Sequence, residues 1–308
     1  MPFLGDPTPP RRWMIGPIGR SWLAGNEAIH RTLKRMRTAR RIDPGRVWGL
    51  PWEDVELRTR DGVRLAAWFV PAADDAPDVA GLMAVVHHHY GGQKATALPW
   101  LELLHRLGIP TLVFDARGHA ASDLPPPGRG SFVKRADDVR AACAWLRARG
   151  ARRILGVGQS QGAATLMIGA GFRRDLVGLI VDSGPTPDMF TAAWGLAGNL
   201  LGSAGRREPW TRAILAARIL PGTEPLLYLP ARWSRLAILR RRPLLWIHGD
   251  RDVVITRSWS KGWFVPMRPR SGRWRSLLVR DADHVRCLQV GGEPVEQAVR
   301  DFIAGLMS

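Results

Sequence analysis

Cysteine is scarce: the 308 residues contain only Cys143 and Cys287. Two thiols so far apart give neither a disulfide framework nor a paired Cys-x-x-Cys metal site, and they read as small buried residues of a chain suited to a reducing compartment. Lysine is almost as rare, at Lys34, Lys94, Lys134 and Lys261, so nearly all of the cationic excess behind the net charge of +18 is arginine. Long apolar runs are missing too, and none approaches the roughly 20 residues of a membrane span. The stretch "PRRWMIGPIGRSWLAG" (10–25) carries two arginines ahead of apolar residues. Gly16, Pro17, Gly19 and Arg20 break that run too early for an export signal. The chain therefore reads as neither secreted nor membrane-spanning. A cytoplasmic location is expected, with peripheral contact at the inner face of the membrane as the alternative.

The arginine excess has two readings. A GC-rich genome produces it through codon usage, and attraction to an anionic surface would use it. No RNA-recognition, KH, zinc-finger or helix-turn-helix signature accompanies the charge, so nucleic acid is not expected as a partner. Residues 1–50 form a basic extension, with ten basic residues between Arg11 and Arg46 set against Glu27 and Asp43. Within it "NEAIHRTLKRMRTARR" (26–41) places Ile29, Leu33 and Met36 at helical spacing on an otherwise cationic helix. Such a helix suits anionic lipid, or it packs on the neighbouring domain.

Hydrophobic content of 45% and charged content of 23% are those of a globular chain long enough to bury a full core. The pattern changes after residue 50. "DVELRTRDGVRLAAWFVPA" (54–72) alternates on both sides of Asp61-Gly62, which predicts a hairpin. Strands are then expected at 82–89, 111–116, 153–159, 176–182, 243–249 and 276–280. Helices are expected at 94–107, 134–149, 161–172 and 293–306. This alternation implies an α/β fold: a mostly parallel central sheet, helices on both faces, and the hairpin adding antiparallel strands at one edge. Between Ser183 and Arg242 it stops, so a short helical cap insertion is assigned to about 184–240 within a domain of residues 51–308.

"RILGVGQSQGAATL" (153–166) runs a buried strand through Gly158-Gln159-Ser160-Gln161-Gly162 into a helix of small residues. A Gly-x-Ser-x-Gly is weak by itself, but its context gives it meaning. A tight strand-to-helix turn strains its central residue and tolerates only small neighbours. It would lift the Ser160 hydroxyl above the sheet, with the Gln161 amide aimed where a negative oxygen forms. A serine nucleophile needs a base, and the base an orienting acid. "RPLLWIHGDRDVVIT" (242–256) ends a strand in Asp250 and Asp252, and "SLLVRDADHVRCL" (276–288) ends another just before His284.

These motifs together resemble the α/β-hydrolase-fold serine hydrolases, in their bacterial esterase and peptidase-like branch, from about residue 53 to the end. The chain order Ser160, Asp252, His284 is that of the family's triad. "FDARGHAASD" (114–123) resembles its Asp-x-Arg-Gly-x-Gly-x-Ser loop, with Ala120 in place of a glycine. "IHGDRD" resembles its acid loop and maps the acid onto Asp252 over Asp250, and "DADH" maps the histidine onto His284. Residues 1–50 show no comparable match.

"VVHHHYGGQ" (85–93) then falls where the family keeps its oxyanion loop. The resemblance gives His88 the histidine position, makes Tyr90 the second oxyanion amide beside Gln161, and leaves Gly91 and Gly92 to turn the backbone. A metal site is the poorer reading. Neighbouring strand residues face opposite ways, so three adjacent histidines do not converge on one ion. Asp115 and Arg117 are expected to fix their loop, and Asp137 and Asp138 to place charge at a helix start.

The resemblance implies hydrolysis of a carboxylic ester through an acyl-enzyme, with thioester or amide cleavage as variants. Acyl transfer by the same triad is an alternative, as is a non-catalytic ligand- or membrane-binding protein on this fold. No metal or organic cofactor is implied. The apolar "LYLPARWSRLAIL" of the cap suggests a small-molecule ester with an apolar acyl or aryl group.

Overall fold

In the computed structural model of the chain, eight strands follow one another: β1 (Glu53–Arg58), β2 (Arg64–Val70), β3 (Leu82–His87), β4 (Thr111–Phe114), β5 (Arg153–Gln159), β6 (Leu176–Asp182), β7 (Leu244–Gly249) and β8 (Trp274–Val279). They form one sheet in the order β1-β2-β4-β3-β5-β6-β7-β8. The hairpin pair β1 and β2 runs antiparallel at one edge, and β3 to β8 are mutually parallel. The helices are α1 (Pro44–Trp48), α2 (Leu98–Arg106), α3 (Phe132–Ala148), α4 (Gln161–Ala170), α5 (Pro209–Ile219) and α6 (Cys287–Met307). The structure describes residues 42–76, 79–125, 132–170, 174–184, 209–219, 240–258 and 271–307 without interruption, with shorter pieces at 34–39, 190–201 and 261–269. Most of the basic helix assigned to 26–41, and the "LYLPARWSRLAIL" stretch of the cap, lie outside the described residues.

The central strands are apolar on both faces because both are covered. Val86, Leu155, Val157 and Ile180 pack with Leu101 and Leu104 of α2 and with Phe302 and Ile303 of α6. On the other face Val85, Ile154 and Leu179 meet Val139 and Leu146 of α3 and Leu166 of α4. A double-covered parallel sheet opens its strand C-termini to a common end, where loops collect functional groups.

The fold departs from the sequence reading in a few places. The strand expected at 82–89 stops at His87, so His88 and His89 belong to the turn that follows. The helix expected at 293–306 begins at Cys287, with a kink at Gly292, whose φ is +50°. Asp138 does not sit at a helix start, because α3 begins six residues earlier at Phe132. It is fully buried, and both its oxygens bind Arg117, accepting from the backbone N–H at 3.1 Å and from Nε at 2.8 Å. Arg117 also donates to Asp61 in the hairpin turn at 2.9 Å and holds that carboxyl down at about 2. One buried guanidinium thus ties the loop after β4 to the hairpin and to α3, which is the loop-fixing role expected for it. Arg117→Met should cost about 3–5 kcal/mol, because it leaves two carboxylates buried without their cation. Urea denaturation reads that loss, and an unchanged midpoint would contradict it.

The described part of the N-terminal extension touches the domain. Arg37 Nη1 donates to the Ser122 carbonyl at 2.7 Å, and Gln93 Nε2 donates to the Thr38 carbonyl at 3.2 Å. Asp43 caps α1 by accepting from Arg46 N–H, and Leu50 joins the core. No helix among the described residues is long and apolar enough to cross a membrane.

Candidate active site

Strand β5 ends at Gln159, and the next residue, Ser160, has φ +52°, a left-handed conformation that a serine adopts only under constraint. Two contacts impose it: Ser160 N–H donates to the Asp182 carbonyl at 2.8 Å, and its own carbonyl accepts from Ala164 N–H at 3.3 Å. The flanking glycines are sterically required. A Cβ on Gly162 would lie 2.1 Å from the His87 carbonyl oxygen, and one on Gly158 would lie 2.6 Å from the Ala163 backbone. The sharp turn therefore presents the Ser160 side chain at the C-terminal end of the sheet, directly ahead of α4.

The structure brings Ser160, His284 and Asp252 together from three strand ends. Ser160 Oγ lies 2.9 Å from His284 Nε2, and His284 Nδ1 lies 2.7 Å from Asp252 Oδ2. Asp252 is 4% exposed, and its other oxygen accepts from the N–H groups of Val254 and Ile255 at 3.0 and 2.8 Å. With the carboxylate so held, Nδ1 carries the proton and Nε2 presents a lone pair to the Ser160 hydroxyl. Asp250 does something different: its Oδ1 accepts from Asp281 N–H at 2.7 Å and braces the turn that precedes the histidine.

The three histidines divide their work by hydrogen bonding. His87 and His88 are fully buried, and each Nδ1 lies within 2.9 Å of the next residue's carbonyl, so each is an N–H donor there. His88 Nε2 then has the lone pair that accepts Ala116 N–H at 3.0 Å. The His89 carbonyl accepts from both His88 Nδ1–H and Gly92 N–H, at 2.7 and 3.0 Å. A trans peptide points its N–H opposite to its C=O. Clamping that carbonyl therefore fixes the direction of the Tyr90 N–H, in a turn closed by Gly91 at φ +74°. Gln161, the other oxyanion candidate, is the first residue of α4, where helical N–H groups lack intrahelical partners. Its side-chain oxygen accepts from Arg135 Nη1 at 3.2 Å.

Burial holds His88 well under the usual imidazole range, at about 4. It stays neutral in the fold at acidities where the unfolded chain binds a proton. The stability it carries is thus complete above pH 6.5, its ordinary value, and is lost as pH falls toward 4. The slope is about 1.4 kcal/mol per pH unit for one such group. His88→Gln, whose amide oxygen can still accept Ala116 N–H, should shrink the acid-induced loss across that window by about 3 kcal/mol. Urea midpoints at several pH values measure it, and parallel curves for the two proteins would refute it.

Several residues near the site carried no sequence signal. Lys94 is buried, with Nζ 2.8 Å from Asp115 Oδ2 and its backbone N–H 2.7 Å from Oδ1. That pair stitches the segment after the turn at Gly91 to the loop after β4. Asp182 and Ser183, at the end of β6, are fully buried beside the histidine loop. Only the rarity of lysine marked Lys94, and nothing local marked the other two. Ala120, standing where a glycine was expected from the resemblance, has φ +36°.

No family model matches the chain. It is 27% identical over 271 residues to the uncharacterized protein YfhR of Escherichia coli K12, covering 84% of this chain and 83% of that one. An esterase of Pyrococcus furiosus has a similar structure, with TM-score 0.67 and 22% identity over 88% of this chain and 96% of that chain. A bacterial membrane phospholipase A is similar with TM-score 0.59 and 16% identity, covering 93% of this chain and 92% of that one. With the strand order and the turn at Ser160, these likenesses identify the architecture: the chain has the α/β-hydrolase fold.

Proposed function

We propose that the protein is a serine hydrolase that cleaves carboxylic esters through a covalent acyl-enzyme. One observation carries this reading: the continuous relay from Ser160 Oγ to His284 Nε2 at 2.9 Å and from His284 Nδ1 to Asp252 at 2.7 Å. In the proposed sequence the Ser160 oxygen attacks the ester carbonyl carbon while its proton passes to His284 Nε2. Asp252 stabilises the imidazolium that forms. The carbonyl electron pair moves onto oxygen, where the Tyr90 and Gln161 N–H groups receive it. Collapse of the tetrahedral intermediate breaks the bond to the alcohol, which takes the proton from His284. Water then repeats the steps on the acyl-enzyme, releasing the carboxylic acid and restoring Ser160. Each oxyanion donor contributes roughly 3–4 kcal/mol at the transition state, so the clamp on the His89 carbonyl supports turnover without touching substrate.

The apolar cap sequence favours an ester with an apolar acyl or aryl group, drawn from solution or from an anionic membrane surface attractive to a chain of charge +18. A p-nitrophenyl ester series of increasing acyl length tests the reading. Hydrolysis that rises with chain length supports it, and no hydrolysis of any member would overturn it. Repeating the series on anionic vesicles, with and without salt, tests the surface.

A further inference from the structure

Three residues around the relay hold left-handed backbones although none is glycine: Ser160 at φ +52°, Ser183 at +56° and Val285 at +56°. For a β-branched residue such as Val285 this is a true outlier, and strain of this kind persists only where the surroundings impose it. Val285 directly follows His284. Its N–H donates to Ser183 Oγ at 2.9 Å, and the Ser183 hydroxyl donates in turn to Asp182 Oδ1 at 2.9 Å. Ser183 is itself held by its N–H, which donates to the Ile247 carbonyl of β7 at 3.0 Å. The Asp182 carbonyl accepts the Ser160 N–H at 2.8 Å. Two adjacent residues at the end of β6 therefore hold the Ser160 N–H with one group and the N–H of Val285, the residue after His284, with another.

From this geometry we infer that Ser183, anchored by Asp182, is a positioning residue that fixes His284 relative to Ser160. The inference rests on the hydrolase reading for its kinetic consequence, but its structural content does not. Ser183 occupies a backbone conformation that glycine adopts without strain, and its hydroxyl is what glycine lacks. Cys287 Sγ lies 3.7 Å from the same hydroxyl. Burial pushes the Cys287 thiol far up and keeps it protonated, so it acts as a donor to this cluster. Burial also pushes the Asp182 carboxyl up, opposed by the hydrogen bonds it accepts from Cys287 and Ser183. With Ser183 fully buried, no solvent stands in for the lost hydroxyl.

The test compares Ser183→Gly with Ser183→Ala. Both remove the hydroxyl, but glycine relieves the left-handed strain, so it should unfold at a higher temperature than the alanine variant. If Ser183 positions His284, both variants lose kcat by roughly 10–100-fold, the scale expected when a reacting group shifts by about 1 Å, with KM little changed. A merely structural role gives the other result: activity tracks stability, and the glycine variant recovers wild-type kcat. The low-field NMR resonance of the proton between His284 and Asp252, assigned by its loss in Asp252→Asn, reports the geometry without any substrate. Its shift or broadening in both Ser183 variants supports the inference, and an unchanged resonance overturns it. Should the wild-type protein hydrolyse no ester, the hydrolase reading fails while the resonance still decides the positioning.

Discussion

Asp252→Asn is expected to lower kcat for ester hydrolysis by about ten-thousandfold, whereas Asp250→Asn leaves it nearly unchanged. The difference follows from what holds each carboxylate. Asp252 Oδ1 accepts two backbone N–H groups, from Val254 and Ile255. An asparagine there must keep its oxygen on those donors, which turns its NH2 toward His284 Nδ1. Two donors cannot face each other, so Nδ1 becomes the acceptor and the imidazole proton moves to Nε2. The histidine then offers Ser160 an N–H where it must offer a lone pair, and the imidazolium also loses its counter-charge. At Asp250 the single accepted bond, from Asp281 N–H at 2.7 Å, survives with the asparagine oxygen. Steady-state kinetics on one p-nitrophenyl ester would settle the ranking, and the reverse order would show that the relay runs through the other carboxylate.

Ser160→Ala should have a larger effect still, a loss of kcat on the scale of about a millionfold, as happens when the nucleophile of such a relay is removed. The fold should tolerate it. Alanine keeps the backbone bonds of the turn and loses one side-chain hydrogen bond of about 1 kcal/mol, worth only a few degrees in the unfolding midpoint. Circular dichroism melts run beside the kinetics separate the two effects. A variant that retains even a tenth of the wild-type rate would mean that another group attacks the substrate.

Where the candidate site was legible along the chain, the information was local. Residues 153–159 and 176–182 are short apolar runs because their strands are buried on both faces, and both strands keep those bounds in the structure. Ser160, Asp252 and His284 were legible because each follows such a run within a few residues, at the end of the sheet where sites gather. Edge strand β8 was less legible. Its Arg275 and Ser276 are exposed and interrupt the apolar signal after the buried Trp274, so the sequence pattern starts the strand at 276, two residues late. The opening turns of α6 were hidden behind Gly291 and Gly292, just ahead of the expected start at 293, and in the structure the chain kinks at Gly292.

Long-range polar contacts left no local trace. Arg117 meets Asp138 across 21 positions and Asp61 across 56. The Val285 bond to Ser183 spans 102. Such pairs are ordinary loop residues until the sheet brings their ends together. The Ser183 cluster therefore needed the three-dimensional arrangement, even though His284 did not.

The most direct test of the central claim is reaction of the purified full chain with a fluorophosphonate, followed by intact-mass measurement and peptide mapping. A fluorophosphonate traps only a serine activated by a neighbouring base, so it reads the relay without requiring the natural substrate. The account predicts one adduct per chain, located on Ser160, and none in Ser160→Ala. An unmodified wild-type protein, or an adduct on any other residue, would contradict it.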